Sequence, residues 1–168
     1  MGIWDWALEA YAQPGVPEAC LALQDAHGQN TSLLLWAVYA EVKDPVVLAR
    51  AAEATRVWDA TALTPLREVR RALKPASPPF ADGARQELRE EVKAVELAAE
   101  RLLLETLEGL AKGRGGARAL EALEAASQAW EKPAPAEALA ELAAALDHSS
   151  LRLDQSQDDE WPISKQRS

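Results

Sequence analysis

The sequence predicts an all-α protein: a single-domain bundle of about six to seven helices, one of them long, followed by a disordered tail. Three observations predict it. Ala, Leu, Glu and Arg, all good helix formers, dominate the chain. No run alternates β-branched with polar residues, and no Asn-Gly or Asp-Gly turn joins two such runs. The first 40 residues read as three short apolar segments with stops at Pro14-Gly15 and Gly28, and they hold three of the six tryptophans and both tyrosines.

In the first segment Trp4, Leu8 and Tyr11 share a face at i, i+4, i+7, and Trp6 lies about 200° round the helix. Pro17 suits the first turn of the second helix, which buries Cys20, Leu21 and Leu23 and stops at Gly28. Asn30, Thr31 or Ser32 can cap the third, whose run from Leu33 to Ala40 is apolar on every side and therefore central. Asp44-Pro45 starts a fourth helix, interrupted by a new start or kink at Thr64-Pro65, after which Leu66, Val69 and Leu73 form a stripe. Residues 75–81 form a Pro-rich linker.

The long helix runs from about Asp82 to Ala111, with Leu88, Val92, Val95, Ala99, Leu102 and Thr106 as its packing seam, widened by Leu103, Leu107 and Leu110. Lys112 to Gly116 breaks it. A helix over about 117–131 turns Leu120, Leu123 and Trp130 inward, and a short last helix carries Leu139, Leu142 and Leu146. The expected division is one domain over 1–148 and a polar tail over 149–168 that lacks apolar periodicity.

The net charge of −9 argues against nucleic acid, which needs a basic field. The acidity sits in the second half: residues 82–168 hold 18 acidic and 11 basic residues, against 9 and 7 in residues 1–81. Cys20 is the only cysteine, so no intrachain disulfide forms. The start shows no basic n-region before an apolar stretch, and Trp6 stands where myristoylation requires Ser or Thr. The longest apolar run is too short to span a bilayer. The expectation is a cytoplasmic protein.

Trp4-Asp5-Trp6-Ala7-Leu8 with Tyr11, Pro14-Gly15-Val16, Cys20 to Gly28 and Leu33-Leu34-Leu35-Trp36 together resemble a bacterial family listed as domain of unknown function 2390. Pro65 to Lys74 resembles that family's middle and Val92 to Leu104 its long helix, so the likeness spans about residues 3–112. Where the family often places Asn before the leucine run, this chain has Ser32. The resemblance implies a bacterial, cytoplasmic, α-helical protein and supplies no activity.

Two constellations carry chemistry. Arg67, Arg70, Arg71 and Lys74 follow i, i+3, i+4, i+7 and point to one side of a helix, where guanidinium groups bind carboxylate or phosphate bidentately. Trp36 and Trp58 are the aromatic candidates beside them. The competing reading is a solvated face paired with Glu87, Glu90 or Glu91 of the long helix. Cys20, Asp25 and His27 form the densest reactive cluster, but two further ligands for a structural zinc site are missing, and same-helix spacing seldom brings a nucleophile to its base. No catalytic residue, metal or cofactor is assigned. The sequence therefore points to a non-enzymatic protein that binds another protein as an adaptor or small regulator, with self-association also open. The alternative is a binder or enzyme acting on an anionic, partly apolar ligand near the basic helix.

Overall fold

The structure, a computed structural model, describes the backbone of residues 1–155 and the side chains of residues 1–147. Its centre is α3, Thr31–Tyr39. Asn30 is the cap among the three candidates: its Oδ1 accepts the Leu33 N–H at 3.0 Å. Leu33, Leu34, Leu35, Trp36 and Ala37 are consecutive and all buried, as an α-helix apolar all round must be. Five helices wrap it: α1 (Ile3–Tyr11), α2 (Val16–His27), α4 (Pro45–Trp58), α6 (Asp82–Glu108) and α7 (Ala119–Ala129). The last helix, α8 (Ala136–Gln155), packs on α2 and α7.

Between α4 and α6 the new helix expected at Thr64-Pro65 is α5, Thr64–Ala72, which follows α4 directly through a π-helical turn, Asp59–Leu63. Counting α4, this turn and α5 as one rod, the described residues form seven helical segments without a strand. Pro65 has no N–H to donate, and the wider turn carries the helix past it without a break. Asp44 caps α4 as expected, its carboxylate accepting from the N–H groups of Val46 and Val47.

Several inward faces differ from those the spacing predicts. On α1 the buried side is Ile3, Ala7 and Ala10, while Leu8 and Tyr11 are largely exposed. Small alanines let α1 approach closely, and the two tryptophans take its flanks: Trp6 against Tyr39, Trp4 beneath Arg101. Leu21 of α2 and Leu120 of α7 are exposed. The largest correction concerns α6. Its buried positions are Arg85, Glu96, Leu103, Leu104 and Leu107, and most of the expected seam, Leu88, Val95 and Leu102, faces out. Polar side chains hold the inner position because α5 offers arginines and free carbonyls there, which apolar residues could not satisfy.

After α6 a glycine-rich loop crosses the end of α3. The Gly115 N–H donates to Ala40 O at 2.9 Å and the Ala117 N–H to Glu41 O at 3.0 Å. A Cβ on Gly115 would collide with the Glu41 carbonyl oxygen. At its far end α8 is described to Gln155. The remaining tail, 156–168, lies outside the described residues.

Gly115→Ala is expected to lower stability by about 1–3 kcal/mol, the usual cost of overpacking against fixed backbone. Gly83→Ala, with open space around its Cα, should cost nothing. Urea midpoints of the two variants measure the difference.

Candidate functional site

α5 presents the four cations that the sequence singles out, and the fold turns two of them onto α6. Arg67 donates to Glu96 and to Asp59 at 3.3 Å each and to Glu100 at 3.5 Å. Arg70 donates from Nε to Glu96 at 2.6 Å. The pairs are substantially shielded: the Arg67 and Glu96 side chains keep 18% and 11% of their exposure. The π turn makes part of this geometry. In an unbroken α-helix residues eight apart sit about 80° from each other, and one inserted residue brings that to about 20°, so Asp59 and Arg67 share a face.

Two further contacts lock the arrangement. The indole of Trp58 donates to Ala99 O at 2.9 Å, tying the end of α4 to α6. Arg85, buried on α6, donates to the carbonyls of Leu73 and Lys74 and to Asp82. Its guanidinium thereby caps the C-terminal end of α5, where carbonyls lack helical donors and a positive charge is favoured.

The cluster holds two guanidinium groups and three carboxylates. Glu100 has its pKa raised, because burial of the carboxyl outweighs the opposing attraction of Arg67, and Glu96 adds to the rise. Close by, the Tyr11 hydroxyl lies inward against Cys20 and Thr31, although part of its ring is exposed. Burial, chiefly, raises the Tyr11 pKa well above the ordinary tyrosine value, with Cys20 and more weakly Glu100 adding to it.

Of the other residues, Arg71 and Lys74 are exposed and form no ion pair among the described residues. Trp36 is 0% exposed, with its Nε1 lacking a partner among the described residues, so it is a core residue and stacks on nothing at the surface. The acids facing Arg67 and Arg70 are Glu96, Glu100 and Asp59 rather than Glu87, Glu90 or Glu91, because those three lie farther toward the start of α6, away from the inner face.

The reactive cluster of α2 is not brought together. Cys20 is buried beside Tyr11, Asp25 is exposed, and His27 lines a separate cavity of about 580 Å³ with Trp130, Lys132 and Pro133. Burial pushes the Cys20 thiol up to about 11, which favours its protonated form at neutral pH. Among the described residues no group of three His, Cys, Asp or Glu is arranged to hold a metal ion.

Sequence reasoning missed Asp59, Arg85, Glu96 and Glu100. A signal existed: Arg85, Arg89, Val92, Glu96, Leu103 and Leu107 recur at spacings of three, four or seven residues, a helical seam with charges in it. Counting only apolar positions hides it.

Two expectations follow. Arg67→Ala should cost about 3 kcal/mol or more, because it strands shielded carboxylates, whereas Arg71→Ala should change stability by less than about 0.5 kcal/mol; urea denaturation with circular dichroism separates them. Glu100 gives a pH signature. An acid whose folded pKa is raised binds protons more tightly when folded, so it lowers stability as pH rises through that raised value. Glu100→Gln should therefore be more stable than the wild type at pH 7. The gain should vanish below the unfolded carboxylate range, about pH 4, as paired melting curves across pH would record.

No helix among the described residues is long and apolar enough to cross a membrane. No curated protein and no solved structure matches the chain. A family match covers residues 2–107, which takes in α1 through α6 except for its last residue, and with them the whole ion cluster. The chain thus belongs to the family described as "Protein of unknown function (DUF2390)".

Proposed function

We propose that this is a non-enzymatic helical protein that binds another protein, as an adaptor or small regulator, and that the outer edge of α6 is its docking face. One observation carries the reading: Leu88, Val95 and Leu102, seven residues apart along a 27-residue helix, are 49%, 54% and 51% exposed. Scattered single apolar residues on a surface are ordinary, but an aligned row on a rigid helix matches the way helices dock on one another. The inner face is held by the core and by the Arg67–Glu96 network, so the row is presented on a preorganised support, which lowers the entropic cost of binding.

The alternative, an anionic small ligand at the basic helix, draws less support. Arg67 and Arg70 are already occupied by carboxylates, and an anion would have to displace them. The same reading takes the protein to be bacterial and cytoplasmic; the lone buried cysteine, which requires no oxidising compartment, supports it.

The test is affinity recovery from native cells with tagged wild type, a Leu88→Gln/Leu102→Gln double variant and an Arg71→Ala/Lys74→Ala double variant, all checked for native helicity. The expected outcome is a stoichiometric partner retained by the wild type and the α5 variant and lost by the α6 variant. Loss on the α5 variant with retention on the α6 variant would transfer the site to the basic helix and end this reading.

A further inference from the structure

The outer face of α6 has a charge pattern as well as an apolar row. Glu87 and Glu91 border Leu88 and are exposed, and neither forms an ion pair among the described residues, whereas Glu90 is held by Lys93 and Glu105 by Arg101. Ala94 and Ala98, also exposed, leave the middle of the face low, so a second helix can approach closely around Val95. Over the whole helix eight acidic residues stand against four basic ones: Asp82, Glu87, Glu90, Glu91, Glu96, Glu100, Glu105 and Glu108 against Arg85, Arg89, Lys93 and Arg101.

A second copy of the chain is a poor occupant. It would bring a net charge of −9 against an equal one, and parallel pairing would set Glu87 and Glu91 against their own counterparts. Resting on the reading of α6 as a docking face, we propose that the occupant is a basic amphipathic α-helix of a partner protein. Its leucine-class residues, seven apart, lie along Leu88, Val95 and Leu102, and Lys or Arg on its flanks face Glu87 and Glu91. The row from Leu88 to Leu102 spans about 21 Å at 1.5 Å per residue, so the partner helix needs about four turns. Apolar burial supplies the attraction, and the unpaired glutamates select the sign of the partner and its register.

The probes are two synthetic 21-residue helical peptides with the same heptad leucines, one with Lys and Arg on the flanks and one with Glu there. Binding to the full chain is measured by calorimetry at physiological salt. The basic peptide should bind at least tenfold more tightly than the acidic one. Val95→Glu adds negative charge and so strengthens bare electrostatic attraction, yet it should weaken the basic peptide at least tenfold. Glu87→Gln with Glu91→Gln should weaken it several-fold and flatten its salt dependence, while Leu21→Glu, on the exposed side of α2, should change nothing. Circular dichroism and urea midpoints confirm that each variant folds.

Equal binding of the two peptides, each weakened by Val95→Glu, would overturn the basic partner while leaving α6 as a docking face. Binding indifferent to Val95→Glu, or no binding by either peptide, would overturn the basic helix and withdraw support from the face itself. A wild-type dimer that Val95→Glu dissociates would assign the face to a second copy instead.

Discussion

The packing of the molecule depends on α3 being enclosed. Five consecutive buried residues, Leu33 to Ala37, leave no side of this helix for solvent, so neighbours must come from all around it. That demand sets the positions of α1, α2, α4, α6 and α7. It also explains the glycine-rich loop. The carbonyls of Ala40 and Glu41, just past the last turn of α3, need donors; the N–H groups of Gly115 and Ala117 supply them, and at Gly115 the space is too narrow for a Cβ. Two elements distant in sequence are thus joined through backbone at the point where the central helix ends.

A second constraint acts at the periphery. α5 has no buried residue, so apolar burial does not hold it to the bundle as it holds α3. Charge and hydrogen bonds do that work: Arg67 and Arg70 to the acids of α6 and the π turn, Arg85 to the end of α5, and Trp58 to Ala99. Partly shielded ion pairs add modest net stability but strongly penalise the loss of one partner, so such a joint specifies geometry more than it supplies energy. With its inner face committed to arginines and leucines, α6 holds Leu88, Val95 and Leu102 outward in a fixed row.

How much was legible varied with the type of residue. The breaks at Gly28, Asp44-Pro45 and Lys112 to Gly116 could be read directly, because caps, prolines and glycines act within a few residues of backbone. The inward faces were harder. On α1 the apolar count favours Trp4, Leu8 and Tyr11, yet alanines form the contact because helix approach, not side-chain size, decides what fits. The four cations of α5 were visible as a row, but which of them is neutralised was not, since Arg67 meets Glu96 and Glu100 about thirty residues away.

The sequence by itself determined the all-α class, the long helix and the central position of α3. Each rests on local propensity, capping or unbroken apolarity, which act along the chain. Only the tertiary structure decided that the helix continues through Pro65 by a π turn and that Arg67 and Arg70 are held by carboxylates. It alone decided that the most regular apolar row of α6 faces outward. The physical reason is that a helix offers several faces of similar periodicity, and the choice among them follows from what the neighbouring helices present. Arginines and uncapped carbonyls on α5 drew Arg85 and Glu96 inward and left the leucines free.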